Sequence, residues 1–238
     1  MALTKLITLE QPKSPIAEAY RTLRTNVQFT AVDGETKTIL VTSAGPNEGK
    51  SATTANLAVS LAQAGKSVLI VDADLRNPTQ HRLFGLSNSQ GLSTALALDR
   101  PLADLWQEVI SEGVLLEGLK VLTAGPIPPN PAELLGSKRM RRFLADLRTG
   151  FDTVLIDSPP AVAVADASIL AQAVDGVILV LASGEVSRDF ASRAKEQLDK
   201  VNAKILGTVL NKVDVKTKDY YYYYYYHGER HRGHRQER

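Results

Sequence analysis

The sequence predicts an α/β domain built on a doubly wound, mostly parallel sheet, and three observations carry that prediction. Short runs of branched apolar residues alternate with longer helical patterns through most of the chain. A loop of the phosphate-binding pattern follows the first such run and opens a helix. Two later runs end in aspartates, where an open α/β sheet gathers its ligand-binding groups.

Taken in order, Ser14 can cap a helix with Pro15 at its first position, and the helix is expected over about 14–32. Ile16, Tyr20, Leu23 and Val27 form its apolar stripe, with Glu18, Arg21 and Arg24 at i, i+3 spacing away from it. Strands follow at "TILVTS" (38–43), "SVLIVD" (67–72), "LKVLTA" (119–124), "DTVLID" (152–157), "GVILVL" (176–181) and "KILGTVL" (204–210). Their continuous apolar character is that of strands covered on both faces. Helices are expected at Lys50–Ala64, stopped by Gly65 at C′, and at Ala132–Arg148 after the "PIPPNP" loop. No repeat or linker splits the body, so one domain over 1–213 is expected. From Asp214 apolar periodicity ends, and 214–238 reads as a disordered tail.

Composition narrows the function classes. With 44% hydrophobic and 23% charged residues, the chain can bury a proper core. It has no cysteine, which removes disulfides, thiolate metal sites and cysteine nucleophiles. "GVILVLA" is far too short to span a bilayer and "MALTKLITLEQPK" lacks a secretory apolar core, so a cytoplasmic protein is expected. The tail holds six Lys/Arg against four Asp/Glu, which accounts for the whole net charge of +2 and leaves the body neutral. A neutral body argues against a general nucleic-acid binder.

Ala44, Gly45, Pro46, Asn47, Glu48, Gly49, Lys50 and Ser51 fit a Walker A loop, with Ala44 where the pattern has glycine, and Ala52 follows in the helix. Backbone N–H groups of such a loop converge on phosphates at the helix N-terminus. Lys50 would reach the β/γ-phosphates, and the Ser51 hydroxyl would bind Mg²⁺. "SVLIVDADLRNP" sets Asp72 and Asp74 at one strand end and "DTVLIDSPP" sets Asp157 at another. Each acid alone could merely cap the next helix. Together with a phosphate loop they point to chemistry on ATP with Mg²⁺.

The order and spacing of "GKS", "DADLR" and "LIDSPP" resemble the P-loop bacterial tyrosine kinases (BY-kinases) of capsule and exopolysaccharide synthesis, whose Walker A, A′ and B motifs they match. "SPIAEAYRTLRTN", "LRNPTQHRLFGL", "QGLSTALA", "AGPIPPNPAELLGSKRM" and "GTVLNKVD" extend the likeness over residues 14–213. The resemblance implies that Lys50 and Ser51 hold phosphates and Mg²⁺, that Asp74 and Asp157 support the metal, and that Asp72 accepts the tyrosine proton. It implies Asn211 as the adenine contact. It also implies that Glu18, Arg21 and Arg24, otherwise a solvated flank, join subunits into a homo-oligomeric ring, an octamer in the family. The CpsD/CapB-like split form further implies a separate membrane-anchored activator of the polysaccharide co-polymerase type, recruitment to the inner face of the membrane, and an opposing protein tyrosine phosphatase.

The tail carries the substrate reading. Tyr220, Tyr221, Tyr222, Tyr223, Tyr224, Tyr225 and Tyr226 form an unbroken run, and Tyr20 is the one other tyrosine. A mobile, exposed run of phenols suits phosphoryl acceptors, entered in trans within the ring by the family resemblance. Two other readings stand beside it. A ParA/MinD-type positioning ATPase shares the motifs, but its signature lysine would fall at Gly45. A binding module could stack the tyrosines on single-stranded nucleic acid beside the tail arginines. His227, His231 and His234 lack a carboxylate or cysteine spaced to close a metal site.

Overall fold

A computed structural model describes residues 6–30, 36–98, 110–112 and 115–214. The seven-tyrosine run therefore lies outside the described residues, as do its expected disorder and its histidines.

Seven strands form one sheet: β1 (Thr38–Ser43), β2 (Val68–Asp72), β3 (Ile110–Glu112), β4 (Leu119–Leu122), β5 (Thr153–Asp157), β6 (Gly176–Ala182) and β7 (Ile205–Asn211), in the order β3-β4-β2-β5-β1-β6-β7. All pairings are parallel except β3 with β4. The six expected strands are thus present, and the seventh, β3, is a three-residue antiparallel edge too short to announce itself by periodicity. β1 lies mid-sheet with β5 on one side and β6 on the other. The chain leaves β1 for β2 beyond β5, then returns from β5 across β1 to β6. The C-terminal ends of β1, β2 and β5 consequently border the crevice where ligands bind in such sheets.

Among the described residues the helices are α1 (Ile7–Glu10), α2 (Pro15–Phe29), α3 (Lys50–Ala62), α4 (Gln80–Phe84), α5 (Leu92–Ala97), α6 (Pro131–Leu135), α7 (Lys138–Gly150), α8 (Asp166–Ala171) and α9 (Arg188–Asp199). They cover both sheet faces. Leu40, Leu69, Val71, Val154 and Ile156 pack with Met140, Phe143, Leu144 and Leu147 of α7. Ile39, Val41, Ile70, Leu155 and Ile178 pack on the other face with Leu57, Ala58 and Leu61 of α3. Successive strand residues point to opposite faces, so both sets must be apolar. That requirement explains the unbroken runs in β1, β2 and β5, every residue of which is buried.

Two helical expectations change. The helix expected at 132–148 is two, α6 and α7, broken at Gly136 and restarted by Ser137, whose Oγ accepts the Met140 N–H at 3.1 Å. A local cap outweighs a continuous apolar pattern at that point. In α2, Ser14 Oγ accepts the Ala17 N–H at 3.1 Å as expected. Of the expected stripe Val27 is buried and Leu23 packs against the core, joined by Ala17, whereas Ile16 is 47% exposed, so the stripe departs from expectation at its first position.

Candidate nucleotide and phosphoryl-transfer site

The loop between β1 and α3 is shaped from behind. The Glu48 carboxylate points into the protein, where Oε1 accepts the Gly45 N–H and Oε2 accepts the Ala182 N–H at 3.1 Å. Ser43 Oγ donates to the Gly45 carbonyl at 2.7 Å. Asn47 and Gly49 take positive φ, +62° and +90°, and turn the backbone towards the start of α3. At Gly49 a Cβ would stand 2.0 Å from Asn211 Nδ2, so only glycine fits both the turn and the close approach. The Ala44 and Glu48 side chains therefore serve the loop from its buried side. Pro46, Asn47, Gly49, Lys50, Ser51 and Ala52 line the cleft itself, whose volume is about 470 Å³.

Strand register brings the acids together. β2 and β5 are neighbours, and Asp72 stands directly opposite Asp157. Lys50 Nζ lies 2.8 Å from Asp74 Oδ2, 3.6 Å from Asp157 Oδ1 and 3.2 Å from Ser51 Oγ. Burial opposes the lysine charge, but Asp157 and Asp74 together outweigh it and hold the pKa above the ordinary lysine range. Burial raises Asp157 against the pull of Lys50, Ser51 and Gln80. Asp72 is pushed up to about 8, first by burial and then by the charge of Asp157, against the backbone N–H groups of Gln80 and Thr79.

The two aspartates of "DADLR" differ in access. Asp74 lines the cleft. Asp72 has no exposed surface; its Oδ2 accepts from Thr79 N and Gln80 N at 2.9 Å each, and its Oδ1 accepts from Asp74 N at 3.3 Å. The residue expected to take the tyrosine proton thus lies behind the cleft wall and ties the loop to the start of α4. Asn211, expected at adenine, uses Nδ2 to donate to the Glu48 carbonyl at 2.8 Å. That bond fastens the end of β7 to the phosphate loop.

Three features in and behind the cleft wall escaped the sequence reading. Gln80 is fully buried, and its Nε2 donates to Asp157 Oδ2 at 2.8 Å and to the Ser51 carbonyl at 3.1 Å. Arg76, on the cleft wall, forms a bidentate pair with fully buried Asp166 of α8 at 2.9 and 3.0 Å. Phe190 of α9 lies 3.0 Å from where a Cβ on Gly45 would be. Arg76 and Gln80 both stand in "LRNPTQHRLFGL", but their partners Asp166 and Asp157 lie 90 and 77 residues away, and nothing local marks either pairing.

The group on α2 is divided. Glu18 and Arg21 pair on the exposed face, and Arg21 also donates to the Pro12 carbonyl at 2.5 Å. Arg24 turns inward and donates to the Ser60 carbonyl of α3 at 2.8 Å.

The donor set suits Mg²⁺. Asp157 Oδ1 is buried without a hydrogen-bond partner and stands beside Lys50. All the candidate ligands, Ser51, Asp74 and Asp157, offer oxygen, the preference of a hard cation. Among the described residues no group of three or more His, Cys, Asp or Glu forms an all-protein metal cage. A Mg²⁺ site completed by phosphate and water needs none.

Comparisons with known proteins identify the family. The family described as ParA, NUBPL iron-transfer P-loop NTPase, matches residues 35–234. The tyrosine-protein kinase YwqD of Bacillus subtilis (strain 168) is 47% identical over 206 residues, covering 87% of this chain and 85% of that protein. The crystal structure of the chimerical protein CapA2B2 superposes with a TM-score of 0.82 at 42% identity, covering 87% of this chain and 89% of that one. A MinD from Pyrococcus horikoshii OT3 is 23% identical with a TM-score of 0.62 over 77% of this chain and 75% of that one, a likeness of fold alone.

Proposed function

The chain belongs to the bacterial tyrosine kinases, within the ParA-type P-loop NTPases, and we propose that it phosphorylates the tyrosines of its own C-terminal run. One observation carries this reading. β7, the last strand, is fastened to the phosphate loop through Asn211 and Glu48, so the chain enters its tyrosine-bearing tail at the nucleotide edge. The nine residue steps from Asn211 to Tyr220 reach roughly 30 Å when extended, enough for a tail to meet its own cleft or a neighbour's.

Backbone N–H groups of residues 47–52 would cradle the phosphates of ATP, and Lys50 would leave Asp74 to contact the β/γ-phosphates. Ser51, Asp74 and Asp157 would hold Mg²⁺, which when bound supplies charge neutralisation across the transferring phosphoryl group. The tyrosine oxygen forms the new P–O bond as the bond to the ADP oxygen breaks. Its proton passes to a carboxylate, because a phenol with a pKa near 10 is a poor nucleophile while protonated. We assign that proton to the ionised form of Asp72, which a raised pKa makes a stronger base but a minor population at neutral pH in the nucleotide-free protein, and whose Oδ1 carries one long hydrogen bond. Reaching Asp72 would require the turn that closes over it through Asp74 N, Thr79 N and Gln80 N to open. Arg76, fixed by Asp166, adds a cation at the cleft wall.

The family resemblance extends the proposal to capsule or exopolysaccharide synthesis, with a membrane-anchored activator recruiting the kinase to the membrane and a phosphatase reversing the modification. Among the described residues no helix is long and apolar enough to cross a membrane. The exposed Glu18–Arg21 pair is the part of the α2 group available to a neighbouring subunit in a ring. A ParA/MinD-type positioning role is a distant relation, and the place of its signature lysine is occupied by Gly45 packed beneath Phe190.

The test is mass spectrometry of residues 214–238 after incubation with ATP and Mg²⁺, run also as a mixture. Protein with Lys50→Met and an intact tail should gain phosphate from active protein lacking 214–238. Absence of tail phosphorylation in the wild-type protein, with or without its activator, refutes the proposal; modification only without mixing refutes transfer in trans.

A further inference from the structure

Gln80 touches all three segments that build the site: the acidic turn after β2, Asp157 at the end of β5, and Ser51 at the start of α3. Its backbone N–H holds Asp72 Oδ2 at 2.9 Å, while its side-chain Nε2 bridges Asp157 Oδ2 at 2.8 Å and the Ser51 carbonyl at 3.1 Å. The orientation of the amide is fixed by its surroundings. Both neighbours of Nε2 are oxygens that can only accept, so the NH₂ must face them. Its Oε1 is left buried and without a partner, an arrangement that costs stability and that an apolar residue of the same size would avoid.

We propose that Gln80 is a positioning residue for the metal, holding one oxygen of Asp157 so that the other faces the Ser51–Lys50 side of the cleft. With Oδ2 occupied, Asp157 Oδ1 is the oxygen left bare, 3.6 Å from Lys50 Nζ. The same amide grips the Ser51 carbonyl, so the hydroxyl-bearing residue and the acid are set relative to each other by one planar group. Without it, the carboxylate is free to rotate and give both oxygens to Lys50. Partners of this kind around a metal ligand are worth about 10–100-fold in metal affinity. The inference rests on the nucleotide-binding reading above.

The experiment uses the full chain and a fluorescent ADP analogue, titrated with Mg²⁺ and separately in EDTA. In Gln80→Leu, the concentration of Mg²⁺ giving half the metal-dependent signal should rise about 10-fold or more, while affinity in EDTA stays within about 2-fold. Gln80→Met removes the same donor with a more adaptable side chain and serves if the leucine variant does not fold. An unchanged Mg²⁺ dependence in a folded variant overturns the assignment. So does an equal loss of affinity in EDTA, which would mark general damage to the cleft. If the parent protein binds the nucleotide without any Mg²⁺ dependence, the metal reading itself falls and this assignment falls with it.

Discussion

Replacing Asp72 by Asn should make the nucleotide-free protein more stable while slowing phosphoryl transfer. In the fold the Asp72 pKa is pushed up to about 8, against roughly 3.9 in an unfolded chain. The native state therefore binds a proton that the unfolded state has released, and the associated stability is complete below about pH 4 and lost as the pH rises towards 8. At 1.36 kcal/mol per pKa unit, the cost is about 1–2 kcal/mol at pH 5 and about 4 kcal/mol at pH 7. Asparagine removes the charge and can keep an acceptor for Thr79 N and Gln80 N, but it sets an NH₂ against the Asp74 N–H, at about 1 kcal/mol. The variant should accordingly match the parent near pH 5 and exceed it by about 3 kcal/mol at pH 7. Urea denaturation in EDTA from pH 5 to 7.5 measures both the offset and the slope. Tail phosphorylation by the same variant should fall about 10²-fold or more, with nucleotide affinity largely kept. A variant no more stable than the parent at pH 7, or equally sensitive to pH, would refute the burial argument.

Other perturbations separate the remaining parts. Lys50→Met should abolish tail phosphorylation and weaken nucleotide binding, since it removes the phosphate contact and leaves Asp74 and Asp157 without their cation; phosphotyrosine blotting and nucleotide titration check it. Gly49→Ala should cost nucleotide affinity and at least about 1 kcal/mol of stability, because the new Cβ meets Asn211 in a left-handed turn; melting and binding curves read both. Arg21→Ala should shrink the assembly in light scattering while changing stability by no more than about 0.5 kcal/mol, whereas Arg24→Ala should also destabilise the subunit by about 1–2 kcal/mol through the lost Ser60 contact. Changing all seven tail tyrosines to Phe should lock the assembled state. Each phosphotyrosine adds about −1.5 to −2 to a tail that starts near +2, and masses unaltered by phosphatase treatment would contradict this switch.

The amino-acid sequence by itself determined the features whose physics is local. A phosphate loop needs its glycines, lysine and serine consecutive in the chain, so Gly49, Lys50 and Ser51 are legible wherever strand and helix flank them. Strands buried on both faces must be continuously apolar, which made six of the seven readable, and Ser14 with Pro15 announces α2. Tertiary structure alone decided what depends on strand order and register. Pairing β2 beside β5 sets Asp72 opposite Asp157, and that proximity, with burial, distinguishes the hidden Asp72 from Asp74 on the cleft wall. Residues 80 and 157, or 76 and 166, meet only because the sheet brings distant loops to one edge. Arg24 turns inward and Arg21 stays out because α3 packs against one side of α2, although the two arginines look alike in the chain. A linear pattern records which side chains are present; the packed sheet sets the distances and dielectric that decide their charge and access.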